Sequence, residues 1–220
     1  MNRLRASKRW TEDMRDFRPS TGARHYIRTK HALELPAEYA DWGGVLREAR
    51  PVASIEHRVV ANWESGLQGA PYIGVMIRAN GLSHPKTLES SPVSWYLDSA
   101  EIARRELDCD KFFLSTDSAE AANQFVAHFP NTVTVWDKGR YNSKDGVADA
   151  IADLYLLAAS TVILGPYWSS FVTMAEKLAP QVPSFDSSKS IHFTGVPTVA
   201  TDPLRPWDGR GHLVDEAPRD

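Results

Sequence analysis

The stretch Tyr72 to Gly81, YIGVMIRANG, decides how the rest of the chain is read. Ile73, Val75 and Ile77 alternate with small or flexible residues, and Gly69 and Gly81 bracket the run, so the pattern predicts a short core strand. Arg78 follows at its carboxyl end. In open α/β sheets that edge is where ligands bind, so Arg78 is a candidate binding residue as well as an ordinary charge leaving the core.

Working outward, helix and strand patterns alternate. Upstream, Ser54 is expected to cap a helix that carries Ile55, Val59, Val60, Trp63 and Leu67 at helical spacing. Downstream, SPVSWYLDSAEIARREL reads as a helix with Trp95, Ile102 and Leu107 on or near one face, and KFFLSTDS as a strand ending in a carboxylate. AEAANQFVAHF gives a helix through Ala122, Phe125, Val126 and Phe129, stopped at Pro130 and Asn131, and TVTVW a further strand. GRYNSKDG has loop composition, after which VADAIADLYLLAAS places Val147, Ala150, Ile151, Leu154, Tyr155 and Ala158 on one stripe. STVILG reads as a strand, PYWSS as a turn, FVTMAEKLA as a short helix and VPSFD as a last strand.

This alternation implies parallel βαβ units with right-handed crossovers. The expected fold class is therefore α/β, a Rossmann-like parallel sheet flanked by helices, over residues 51–195. Residues 1–50, weakly periodic apart from short helical patches at LPAEYADW and GGVLREA, read as an N-terminal extension. Residues 196–220, with Pro197, Pro203, Pro206 and Pro218, read as a Pro-rich C-terminal tail.

Composition narrows the function. A chain of 220 residues holds one domain with a substantial core and is short for two. A net charge of −3 gives no global signal for nucleic acid or an anionic membrane; the basic MNRLRASKRW segment is local, an interaction tail or a solvated terminus. No apolar segment approaches the ~18 residues of a membrane span, and the start lacks a signal-peptide core, so a cytoplasmic location is expected. Cys109 is the single cysteine, which excludes an internal disulfide and a cysteine-based zinc site. Its neighbours Asp108 and Asp110 disfavour a thiolate and so argue against a nucleophile.

Three features meet at one edge of a parallel sheet: Arg78 after one strand, Asp117 after the next, and Ser169 with Ser170 opening the helix after STVILG. A helix amino terminus offers unpaired N–H groups, and arginine offers a planar fork, so together they suit a diphosphate. Each serine or aspartate also has a simpler reading as a helix cap. GxxxxGK[ST], GxGxxG and GxSxG are absent from the sequence, which lowers P-loop, dinucleotide-oxidoreductase and nucleophile-elbow hydrolase chemistry. The seven histidines are scattered and form no HExxH pattern, so no metal site is expected.

The ordered set YIGVMIRANG, SPVSWYLDSAEIARREL, FFLSTDSAEAANQFVAHFP, DLYLLAASTVIL and PYWSSFVTMAEKLAPQVPSFD resembles the GDP-fucose-dependent fucosyltransferases, in particular the bacterial nodulation type and its α-1,6 relatives. The resemblance covers roughly residues 51 to 190. It implies the donor-binding half of a two-domain GT-B glycosyltransferase that binds a GDP-sugar and transfers the sugar to a glycan or other hydroxyl acceptor, with inversion and without a metal or cofactor. Arg78 then contacts the donor diphosphate and Asp117 lies near the nucleoside, the two being the catalytic candidates. Asp153 accepts hydrogen bonds from guanine, and Ser169, Ser170 and Phe171 form the phosphate-binding turn. Asp117 and Asp145 are candidate general bases. Met76 stands where the family motif has histidine, and the residues before Pro51 are too few for an acceptor domain. Self-association into a homo-oligomer or a separate acceptor-binding chain would complete the enzyme. The alternative is a non-catalytic nucleotide- or glycan-binding module derived from such a half.

Overall fold

The computed structural model describes residues 8–10, 25–27, 42–67, 70–81, 83, 85–134, 143–193 and 198–212. Two compact units divide the chain, residues 1–45 and 46–220. In the first, strands β1 (Lys8–Trp10) and β2 (His25–Ile27) pair in parallel. Several stretches read from the sequence lie outside the described residues: 35–41 of the first helical patch, Gly69, Val135, Trp136, 139–142, Pro197 and Pro218.

Helix α1 (Trp42–Glu48) precedes α2 (Ala53–Asn62), which continues into a π-helical turn over Trp63–Leu67. The sequence expectation of a Ser54 cap is corrected: Val52 occupies the N-cap with extended backbone and no side-chain bond, and Ser54 is exposed in the first turn. The buried residues Ile55, Val59, Trp63 and Leu67 recur every fourth position. That spacing drifts off one face at 3.6 residues per turn, and the wider π turn returns Trp63 and Leu67 to it.

The central sheet contains β3 (Ile73–Ile77), β4 (Phe112–Thr116), β5 (Thr132–Thr134), β6 (Val162–Leu164) and β7 (Ser184–Phe185), all parallel in the order β5-β4-β3-β6-β7. The α/β class and the parallel sheet expected from the alternating pattern are both present. Every residue of β3 is buried, as a central strand covered on both faces requires. Between the strands run α3 (Pro85–Ser90), α4 (Val93–Glu106), α5 (Ala119–His128), α6 (Lys144–Ala159) and α7 (Ser170–Leu178).

Two cores result. On one face Tyr72, Met76, Phe113 and Ile163 pack with α2, α6 and α7; on the other Ile73, Val75, Ile77, Phe112 and Leu114 pack with α4 and α5. The contact stripe of α4 differs from the expected one: Tyr96, Ser99, Ala100 and Ala103 are buried, with Leu107 just beyond, whereas Trp95 and Ile102 are half-buried. Small residues let the helix approach the sheet closely, and the larger side chains are left at the margin.

Helix α6 begins three residues earlier than its apolar pattern suggests. Ser143 caps it by accepting a hydrogen bond from Gly146 N at 3.0 Å, and Asp145 stands in the first turn where the helix dipole favours it. Val147, assigned to the apolar stripe, is exposed, while Asp149 and Asp153 are buried. From Ala152 to Ala159 the helix is buried all round, enclosed by the sheet, α2 and α7.

The tail forms an antiparallel pair, β8 (Thr198–Ala200) with β9 (Arg210–His212). The Arg210 guanidinium donates to the carbonyls of Ala158, Ser160, Thr198 and Pro206 and to Thr198 Oγ1. It thereby satisfies carbonyls at the end of α6 that the helix itself leaves open. Among the described residues no helix is long and apolar enough to cross a membrane.

Candidate functional site

The strand order reverses at β3: β4 and β5 lie to one side, β6 and β7 to the other. In such sheets the crevice beyond the carboxyl ends of the two strands flanking the reversal is where ligands sit. The loop after β3 carries Arg78, and the loop after β6, GPYWS, leads into α7. Arg78, Ser169 and Ser170 thus follow the two strands that border the crevice, whereas Asp117 follows the adjacent β4.

Arg78 and Asp117 are brought together. Arg78 Nη1 lies 3.3 Å from Asp117 Oδ2, and both side chains are partly exposed, at 37% and 23%. Asp117 does more than pair with the arginine. Its Oδ1 accepts from Ala79 N at 2.9 Å and Asn80 N at 3.0 Å, and its Oδ2 from Ser83 Oγ at 3.3 Å. The carboxylate therefore organises the turn that follows β3. The capping task belongs to its neighbour, since Ser118 Oγ accepts from Ala121 N at the start of α5.

Ser169 is the N-cap of α7, accepting from Val172 N at 3.3 Å, and Ser170 opens the helix in an exposed position. Phe171 is half-buried against the core of α2, α6 and α7. A capping hydroxyl spends a lone pair on the helix and keeps its proton to donate elsewhere. Gly165 permits the approach of this helix to β6, because a Cβ there would collide with the Val172 side chain.

Two residues that the sequence reading did not single out lie at these loops, and Ser91 links them. Ser91, buried between α3 and α4, accepts from Tyr167 N at 2.9 Å and meets Ser187 Oγ at 3.3 Å. Tyr96, wholly buried, places its hydroxyl beside the Ser91 hydroxyl and the Arg78 backbone without completing a well-aligned bond to either. Burial pushes this phenol far above the usual tyrosine range, against the smaller opposing pull of Ser91 and Arg78. A serine between two helices and a tyrosine inside one carry no sequence signal of this arrangement.

Asp153 lies on the buried stretch of α6. It is 2% exposed and accepts from Ser115 Oγ at 2.5 Å. Ser115 is the register partner of Met76, so the pair abuts the position where the resemblance places a histidine, and Met76 itself is packed in the core. Asp149, one turn before Asp153 on α6, is buried and paired with Arg58 of α2. Asp145 joins the same arginine at 3.1 Å from an exposed position. Among the described residues no group of three or more His, Cys, Asp or Glu could hold a metal ion.

Sheet order and crevice define a Rossmann-like α/β protein. No family model and no curated protein matches the chain. Solved structures do. NodZ α-1,6-fucosyltransferase soaked with GDP-fucose is similar at a TM-score of 0.53 and 25% identity, over 82% of this chain and 60% of that one. The selenomethionine form of fucosyltransferase NodZ from Bradyrhizobium gives 0.53 and 26% over the same shares. POFUT1 in complex with GDP is similar in fold, with a TM-score of 0.50 and 11% identity over 74% of this chain and 56% of that one. The chain has a fucosyltransferase-like fold and spans less than two thirds of the length of the enzymes it matches.

Proposed function

We propose that this chain is a glycosyltransferase domain that binds a nucleotide sugar of the GDP-fucose kind and transfers the sugar to a hydroxyl acceptor. The observation that carries the reading is the placement of Arg78 and the α7 amino terminus on the two strands that flank the sheet reversal, in a fold shared with fucosyltransferases. A diphosphate in that crevice meets a guanidinium from one side and helix N–H groups with the Ser169 and Ser170 hydroxyls from the other. Opposed positive groups stabilise the charge that grows on the diphosphate as it leaves. In the transfer, the acceptor oxygen bonds to the anomeric carbon, the bond from that carbon to the phosphate oxygen breaks with its electron pair leaving on GDP, and the acceptor proton passes to water.

Arg78 contacts the donor in this scheme, and Asp117 is assigned a positioning task. Four donors already address its two oxygens, which makes it a holder of Arg78 rather than a base. A guanine contact by Asp153 requires the base edge to reach a buried carboxylate that already binds Ser115. The fall in guanine preference over adenine in Asp153→Asn tests that contact. The proposal includes a cytoplasmic setting, a GT-B partner half supplied by another chain or a second copy, residues 51–195 as the donor domain, and no metal requirement.

A second reading, a module that binds the nucleotide sugar without transferring it, is favoured by one observation: Met76, in the position of the motif histidine, is committed to the core. Incubation with labelled GDP-fucose separates the two. Release of GDP in step with sugar consumption supports transfer or hydrolysis, and binding with no turnover supports the module.

A further inference from the structure

Beside the crevice, the turn after β6 holds an aromatic pair in an unusual state. Trp168 has a φ of 65°, a left-handed conformation that a bulky side chain rarely adopts, and its side chain is 59% exposed. Backbone strain of this kind persists only when the surroundings impose it, and it gathers at functional sites. Here the surroundings are identifiable. Tyr167 N is tethered to Ser91 Oγ, and Ser169 is fixed as the cap of α7, so the residue between them is pinned at both ends. Lys86 of α3 sets its Nζ 5.1 Å from the Tyr167 ring centroid and 5.1 Å from that of Trp168. One cation thus lies over both rings.

We infer that Trp168, Tyr167 and Lys86 form a platform for a pyranose ring of the acceptor. The inference rests on the proposed transferase reading, since it takes the platform to border the donor crevice. A flat indole face matches the C–H face of a sugar ring, and an ammonium beside it donates to ring hydroxyls. A nucleobase is the other flat ligand such a surface could take. Guanine O6 and N7 accept from an ammonium as sugar hydroxyls do, so Lys86 does not separate the two ligands, and the GDP response of Trp168→Ala does.

The test uses the methyl glycosides of glucose, galactose, mannose and N-acetylglucosamine at millimolar concentrations, read by saturation-transfer NMR and by indole fluorescence. A parallel melting titration with GDP reports the donor site. Saturable binding of at least one glycoside is expected, weakened about tenfold or more in Trp168→Ala and weakened to a smaller degree in Lys86→Ala. The GDP-induced melting shift is expected to persist in Trp168→Ala, which also shows that the variant folds. Absence of glycoside binding in the parent, equal binding in parent and Trp168→Ala, or loss of the GDP response in Trp168→Ala would each overturn the platform. A parent that ignores GDP but binds a glycoside through Trp168 would refute the donor reading alone and leave the saccharide surface standing.

Discussion

Replacing Asp117 with alanine removes a carboxylate that the structure uses four times. Its Oδ1 holds the amides of Ala79 and Asn80, at 2.9 and 3.0 Å, while Oδ2 faces Arg78 and Ser83, each at 3.3 Å. Hydrogen bonds to a charged acceptor are worth about 1.5–3 kcal/mol each when secluded, but this site is partly open and water replaces some of the loss. Taking ~1 kcal/mol for each amide and ~0.5 kcal/mol for the half-exposed ion pair gives a local cost of about 2.5 kcal/mol. The cost falls on the turn after β3, so hydrogen exchange at Ala79 and Asn80 is the direct assay, and exchange there should accelerate more than tenfold. Diphosphate affinity should fall about tenfold as well, ~1.4 kcal/mol, because Arg78 loses its holder. Asp117→Asn, able to keep the two amide bonds through one oxygen, should retain most of the exchange protection while losing the ion pair. Unchanged protection at both amides in Asp117→Ala would refute the claim that this carboxylate organises the loop.

Further expectations follow from the buried polar groups. Arg58→Ala removes the half-buried cation paired with the buried Asp149 and should lower stability by about 2 kcal/mol in denaturant titration, with Arg58→Lys recovering part of it; a loss under about 0.5 kcal/mol would return the pair to the surface class. Arg210→Lys replaces a five-donor fork that serves four carbonyls and a hydroxyl, and a melting temperature equal to the parent's would show that the tail is not fastened there. Burial raises the Cys109 thiol and the Tyr72, Tyr96 and Tyr155 phenols, so each keeps its proton in the folded state after the unfolded chain has released it. Their contributions are complete below the unfolded values, 9.0 for cysteine and 10.0 for tyrosine, and decline above them by about 1.4 kcal/mol per pH unit for each group in its window. Burial also lowers the Arg210 guanidinium, but its five donated hydrogen bonds keep it protonated over this range, so it does not enter the profile. Melting temperature should therefore fall from about pH 9, with Cys109→Ala delaying the onset toward pH 10; a flat profile to pH 10.5 would contradict this.

The elements were legible where periodicity or punctuation carried them. YIGVMIR read as a central strand because its apolar run is short and bounded, and Pro130 with Asn131 marked the end of α5. Strand order was not legible: nothing local says that β6 returns to the far side of β3, and that return is what makes Arg78 and the α7 cap neighbours of one crevice. The start of α6 was hidden because Lys144, Asp145 and Gly146 resemble a loop, although Ser143 supplies the cap that lets them be helical. Periodicity also misjudged Val147, which is exposed, and it cannot see that Asp149 is buried because Arg58 waits on the neighbouring helix. In the site, residue type alone pointed to Arg78, Asp117 and Ser169. The division of labour between Asp117, which ties the turn, and Ser118, which caps the helix, needed the geometry.

The central claim is that the crevice beside β3 and β6 binds the diphosphate of a guanine nucleotide sugar without a metal. The most direct measurement is a melting titration with GDP, GDP-fucose, ADP and UDP in the presence of EDTA, on the parent and on Arg78→Ala. At concentrations about 100 times the dissociation constant, GDP and GDP-fucose should stabilise the parent by about 2.7 kcal/mol, ADP and UDP by less, and the gain should largely vanish in Arg78→Ala. A parent that shows no shift with any of the four, or an Arg78→Ala variant that shifts as much as the parent, would contradict it.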